Sequence, residues 1–255
     1  MIRRTVIPFG PQHPVFPEPL QLRLILEEER VIEAIPALGY MHRGLEQLAT
    51  VKDYTKTLFL AERVCGICSL MHALCYAQCI EELQGVEVSL RAKYLRTIWS
   101  ELARLQSHLL WLGLTADAFG FESLFMQTWR IREYVMDAVE FTEGNRVMAS
   151  SITIGGTRRD LSPEGTAYIL TNLEKLEIGL SAIFPVFTED PLIKQRTVGA
   201  GILRKNDALR LGAVGPTLRG SGVAQDMRML GYAAYGELDF QPVIEDSCDA
   251  YARMI

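Results

Sequence analysis

The chain has 255 residues, 49% of them hydrophobic and 22% charged, enough apolar material for one large core or two small ones. A net charge of −5 and a pI near 5.5 exclude a general nucleic-acid binder, which needs a basic face. The longest apolar run, Leu109–Leu114, is far short of the ~20 residues that cross a bilayer.

The N-terminal Met1-Ile2-Arg3-Arg4 leads straight into Pro8, Gly10, Pro11 and Pro14, with no apolar stretch of a secretory signal. A cytoplasmic protein is expected, peripheral on the inner face of the cell membrane. A mean hydropathy of +0.11 adds the expectation of much buried helix or a large buried interface.

Residues 8–19 hold five of the eleven prolines and read as irregular. Leu20, Leu22, Leu24 and Leu26 then alternate with Gln21, Arg23 and Ile25, the period of a strand. Glu27–Arg30 form a charged turn, Val31–Ile35 the returning strand, and Pro36 ends it, which predicts a hairpin.

Helix signals dominate from about Gly44. Leu45, Leu48 and Ala49 begin one helix, and Gly66–Leu83 form a second ended by Gly85. Ser89 caps a third, with Tyr94, Leu95, Ile98, Leu102, Leu105, Leu109 and Leu112 on one stripe. Phe121–Glu140 form a fourth. Ser162-Pro163-Glu164 open a fifth, to about Phe184, with proline at the first helical position.

After Pro185 glycines punctuate short segments, and residues 249–255 resemble a helix cut in mid-course. The expected organisation is a single domain in three parts: an N-terminal β portion (1–38), a helical bundle (39–190) and a loop-rich part (191–255).

Five cysteines, Cys65, Cys68, Cys75, Cys79 and Cys248, form an odd, clustered set that suits metal binding or buried thiols, not a disulfide framework. The sharpest feature is Arg63-Val64-Cys65-Gly66-Ile67-Cys68 with His72 four residues on. A Cys-x-x-Cys turn lets both sulfurs face one point, and a nearby arginine favours the thiolates that bind metal. Alone, the motif is also compatible with half a zinc site, a redox dithiol or buried structural cysteines.

Cys68, His72, Cys75 and Cys79 share one helical face, but the eleven-residue step from Cys68 to Cys79 spans ~16 Å, too far for one ion. Cys75 and Cys79 are therefore read as small buried side chains. His72 could donate to the Cys68 sulfur. The glycine-rich stretch Gly212–Gly222 lacks the Gly-Lys-Ser/Thr ending of a P-loop and the dinucleotide spacing, so NAD binding is not expected and Arg219 reads as structural.

Arg63-x-Cys65-x-x-Cys68-x-x-x-His72 resembles the first cysteine motif of nickel–iron hydrogenase large subunits. Gly10-Pro11-Gln12-His13-Pro14, Gly39-Tyr40-Met41-His42-Arg43-Gly44-Leu45-Glu46, Ser107–Gly113, Ile154–Asp160 and Gly215–Gly222 resemble the membrane-bound energy-converting group. They also resemble the quinone-site subunit of respiratory complex I. The fold this implies is α+β and mainly α, hydrogenase large-subunit-like, with an N-terminal β hairpin and a central helical bundle.

The implied function is an oxidoreductase: H2 oxidation or proton reduction coupled to ion translocation. Cys65 would be a terminal nickel ligand and Cys68 would bridge nickel and iron. The quinone branch has lost these cysteines. It also carries a quinone-contacting histidine where Glu18 stands here, and Glu18 would instead relay protons. A carboxyl shielded beside thiolates would have a raised pKa.

Arg63 and His108 would lie near an iron–sulfur cluster of a partner small subunit; His13, His42, Arg43, Glu46 and Arg219 complete the shared motifs. Two further cysteines of the family's site come from an Asp-Pro-Cys-x-x-Cys motif that these residues do not contain. The nickel–iron centre is thus expected in the full-length protein, and no bound centre or activity is expected of this chain alone. The alternatives are a metal-free quinone-reductase subunit, or a scaffold packed on the iron–sulfur subunit and the membrane arm.

Overall fold

The computed structural model describes residues 4–13, 16 and 18–255, so Met1, Ile2, Arg3, Pro14, Val15 and Pro17 of the segments above lie outside it. The chain divides into two compact units, Met1–Asp53 and Tyr54–Ile255.

The first unit is a three-stranded antiparallel sheet in the order β1 (Arg4–Phe9), β2 (Gln21–Glu27), β3 (Arg30–Ala37). The predicted hairpin is β2–β3, with Glu27 opposite Arg30 and a register shift at Ile25/Leu26. Two expectations are corrected. β3 runs through Pro36, and β1 occupies the start of the proline-rich stretch, with Pro8 opposite Arg23. Both are edge strands, where a missing N–H need not break a ladder. The unit ends in α1 (Leu45–Thr50).

The second unit opens with α2 (Tyr54–Glu62) and α3 (Ser69–Gln84). α3 starts three residues beyond the predicted Gly66, because Cys65–Cys68 form a bend, and it stops at Gly85 in the left-handed conformation (φ 64°). α4 (Leu90–Ala118) is capped by Ser89, whose Oγ accepts from Ala92 N at 3.3 Å. α5 (Glu122–Glu143) follows. The hairpin β4 (Ile152–Thr153) and β5 (Gly156–Thr157) leads to α6 (Pro163–Glu189), capped by Ser162.

Contrary to the sequence expectation, α6 continues past Pro185. Ile183 and Phe187, 3% and 2% exposed, anchor the turn on either side, and tertiary packing outweighs the lost backbone bond.

Leu95, Trp99, Leu102 and Leu109 of α4 pack with Ile131, Val135 and Val139 of α5 and Ile169, Leu176 and Ile183 of α6, so the predicted stripe is the bundle core except for Tyr94, which is exposed. The architecture is mainly α with a small β portion. The remainder holds three short helices, α7 (Pro191–Thr197), α8 (Lys205–Arg210) and α9 (Gly215–Arg219), among turns.

Residues 249–255 are turns, not the expected helix. Asp249 accepts from Gly199 N (2.8 Å) and Ala252 N (2.9 Å), and Arg253 donates to Gly201 O (2.6 Å), which ties the segment back to residues 199–201. No described helix is long and apolar enough to cross a membrane.

A buried ion pair joins these elements. Arg96 of α4 and Glu81 of α3, 1% and 6% exposed, meet through the two terminal guanidinium nitrogens, Nη1 and Nη2. Arg96 also donates to Thr153 O (2.8 Å) and Gly156 O (3.0 Å), while Glu81 accepts from Gly155 N (2.7 Å). The Ile154-Gly155-Gly156 segment is thereby fastened to the bundle by its backbone.

Candidate metal centre

Cys65 and Cys68 lie in the bend between α2 and α3, both half-buried. Cys68 is the N-cap residue of α3, and its carbonyl accepts from Met71 N (3.0 Å) and His72 N (3.3 Å). The unsatisfied N–H groups of a sixteen-residue helix favour negative charge there, which suits a thiolate at Cys68.

Two struts hold the bend. Gln106 of α4 donates from Nε2 to Ile67 O at 2.7 Å, and Arg132 of α5 fixes Gln106 through Oε1 (2.7 Å) and the carbonyl (3.0 Å). On the other side Ser69 Oγ donates to Val147 O at 2.7 Å. Asn145 shapes that loop by accepting from Val147 N and Met148 N at 2.9 and 3.0 Å. Gly66 faces Met148 and Val147, where an added Cβ would find ordinary contact at 3.8 and 4.0 Å.

Arg63 donates to Phe59 O at 2.8 Å and sits 3.5 Å from Glu62 Oε2, with about half of its side chain exposed. Glu62 itself is 3% exposed and accepts from Ser150 Oγ at 2.7 Å.

Cys75 and Cys79, expected to be buried, are exposed. α3 spends its inward face on Leu70, Ala73, Leu74, Ala77, Ile80 and Glu81, and the cysteines fall on the other side. Partial desolvation of its own thiol, and then the neighbouring Cys75, raise the Cys79 pKa.

His108 and Arg219, two separate sequence candidates, share one polar cluster. Partial desolvation and the charges of Arg104, Arg219 and Arg228 lower the His108 pKa, against Glu101. His108 nevertheless keeps contact with solvent. Asp226 balances the arginines, pairing with Arg219 (2.8 Å) and Arg228 (2.9 Å). Those bonds, Arg228's first, hold its carboxyl down to about 2. Arg219 is thus held by its ion pair with Asp226.

The remaining candidates lie in the first unit. Glu18 is exposed within it. The His13 ring packs on Phe9 at 4.2 Å between centroids. His42, Arg43 and Glu46 are exposed. The structure thus gathers Arg63, Cys65, Cys68 and His72 on one bend-helix segment, and His108 with Arg219 in a second cluster.

Gln106, Arg132, Glu62, Ser150 and Asp226 were not singled out in the sequence. Gln106 had a readable signal: it falls between Leu102 and Leu109 on the buried stripe.

Among the described residues, no group of three or more His, Cys, Asp or Glu could hold a metal ion together. Two cysteine sulfurs at one bend are soft donors by chemistry, and the pair alone does not complete a metal site.

Residues 118–255 match the family described as the 49 kDa subunit of respiratory-chain NADH dehydrogenase, and residues 43–115 match the nickel-dependent hydrogenases. The membrane-bound hydrogenase subunit alpha of Pyrococcus furiosus is 40% identical over 97% of this chain and 60% of its own length. The carbon monoxide-induced hydrogenase of Rhodospirillum rubrum is 38% identical over 97% of this chain and 69% of its own. An NADH-quinone oxidoreductase subunit of Thermodesulfovibrio yellowstonii is 37% identical over 98% and 63%.

The chain thus spans about 60 to 69% of the length of these oxidoreductase subunits. On these matches it belongs to the superfamily that joins the 49 kDa subunit of respiratory-chain NADH dehydrogenase with the nickel-dependent hydrogenases.

Proposed function

We propose that this chain is part of the large subunit of a membrane-bound, energy-converting nickel–iron hydrogenase. The observation that carries the reading is the Cys65–Cys68 bend, half-buried at the start of α3 and held by Gln106, Arg132 and Ser69. A loop kept only for packing would not need two sulfurs at its tip and a buried amide and guanidinium behind it.

In this reading Cys65 and Cys68 would hold a nickel–iron centre together with two further thiolates of the family's site. A nickel–iron centre, when bound, supplies heterolytic splitting or formation of H2.

The chain's own residues prepare the site. The helix start and Arg63 stabilise anionic sulfur; Gln106 and Arg132 fix the spacing of the two thiolates. Arg63 and His108 face an iron–sulfur partner subunit, where a positive or hydrogen-bonding neighbour raises a cluster's potential. Glu18 moves protons, and electron flow is coupled to ion translocation by membrane subunits on which this chain rests peripherally.

A metal-free, quinone-reducing role is the second reading, favoured by the match of residues 118–255 to the 49 kDa subunit. The assembled complex separates them. H2-dependent dye reduction that disappears in Cys65→Ser supports the hydrogenase. Quinone-site inhibitor binding, with wild-type quinone reduction in Cys65→Ser and no H2 activity, supports the second.

A further inference from the structure

Cys75 and Cys79 stand exposed on α3, outside the bend that holds Cys65 and Cys68. Cysteine is among the residues most often buried, so two exposed thiols one helical turn apart ask for a chemical reason. They continue a longer stripe. Cys68, His72, Cys75 and Cys79 follow one another at steps of four, three and four, opposite the buried face of Leu70, Ala73, Leu74, Ala77 and Ile80. The helical ladder begins at Cys68 itself, whose carbonyl accepts from His72 N at 3.3 Å, so the stripe runs unbroken into the bend. Exposure falls along it: Cys75 and Cys79 face solvent, while His72 and Cys68 are half-buried.

Helix neighbours three or four residues apart hold their Cβ atoms ~5–6 Å from each other, close enough for two such side chains to share one ion. Among the described residues no three His, Cys, Asp or Glu could hold an ion together, so each pair on the stripe is a loose, two-ligand site. Thiolate and imidazole are both ligands that nickel accepts.

We propose that Cys79, Cys75 and His72 form a handover track, which takes up a thiophilic divalent metal ion at the Cys75–Cys79 pair and passes it along α3 to Cys68. The surface pair stands on this geometry; its destination rests on the hydrogenase reading above. Each transfer is a ligand exchange. The ion gains the His72 imidazole as it loses the Cys79 sulfur, then gains Cys68 as it loses Cys75. Each thiol gives its proton to water when the ion arrives and takes one back when the ion leaves, with no oxidant or reductant needed. The thiols set the direction. Partial desolvation and then Cys75 raise the Cys79 pKa, so that sulfur regains its proton readily and releases the ion. The start of α3 favours the thiolate at Cys68, where the track ends.

The test uses the assembled complex and nickel(II) alone as the probe. In complex from nickel-starved cells, Cys75 and Cys79 should react with an alkylating reagent, and nickel(II) should protect both, read peptide by peptide by mass spectrometry. Cys75→Ser should abolish the protection of Cys79, and a chelator should restore reaction in the wild type. In cells given limiting nickel, the Cys75→Ser/Cys79→Ser complex should carry several-fold less nickel than the wild type, and the difference should close at high nickel.

Thiols at Cys75 and Cys79 that resist alkylation without nickel, or react equally with and without it, would overturn the surface pair. Wild-type nickel content in the double variant at limiting nickel would overturn the track. A complex protected at Cys75 and Cys79 that acquires no nickel at the bend under any supply contradicts the hydrogenase reading and the destination together, while the surface pair stands.

Discussion

Three polar side chains buried in the second unit decide how well its chemistry is held. Gln106 is 8% exposed and joins the cysteine bend to Arg132. Gln106→Leu leaves the Ile67 carbonyl and the Arg132 guanidinium short of partners, which costs about 1–3 kcal/mol. The expected outcome is that loss in urea denaturation, with faster reaction of Cys65 and Cys68 toward a thiol reagent.

Glu143 makes a different prediction. Its folded pKa of about 7 lies above the ordinary 4.5, so the native state binds this proton more tightly than the unfolded chain. Stability from this site is therefore full below about pH 4.5 and is lost as pH rises to about 7, on the order of 3 kcal/mol in all. Glu143→Gln should remove that slope, so the variant gains on the wild type between about pH 5 and about pH 8 in denaturation midpoints. An unchanged slope in the variant would contradict the assignment.

Breaking the Arg96–Glu81 pair from one side leaves an uncompensated buried charge. Arg96→Leu should destabilise by about 3–5 kcal/mol in the same denaturation assay.

Between elements, the bundle is set by how closely its helices approach. A Cβ at Gly113 of α4 would stand 2.5 Å from the Trp129 ring of α5, and one at Gly179 of α6 would stand 2.5 Å from Ile131 of α5. Gly113→Ala and Gly179→Ala each force α5 side chains off their positions and should cost about 1–3 kcal/mol, read as a drop in melting temperature.

The long helices were legible because their signals are local: Ser89 and Ser162 as caps, Gly85 as a stop, the leucine stripe of α4 as a core face. β1 was hidden because its pairing with β2 is a property of the sheet, while Pro8 and Pro11 announce irregularity. The last turn of α6 was hidden for a like reason. Proline signals a break, and only the burial of Ile183 and Phe187 overrules it. The outward placement of Cys75 and Cys79 needed the knowledge of which α3 face meets its neighbours. In the candidate site, the Cys65–Cys68 pair was legible as a motif. Its distant supports, Gln106, Arg132 and the Val147 carbonyl, come from other elements far along the chain, beyond the reach of any local pattern.

At the scale of the molecule, the chain joins a small β unit and a helical unit, and both halves of the superfamily are written into it. The cysteine bend falls within residues 43–115, matched by the nickel-dependent hydrogenases, and α5 onward within residues 118–255, matched by the 49 kDa subunit. Family membership therefore leaves the choice between H2 and quinone to the two sulfurs.

The most direct measurement is the nickel content of the assembled complex, matured in cells supplied with nickel, for the wild type, Cys65→Ser and Cys68→Ser. The account predicts stoichiometric nickel in the wild type and its loss in both variants with the fold retained. A wild-type complex that is fully assembled, redox-active and free of nickel would contradict it.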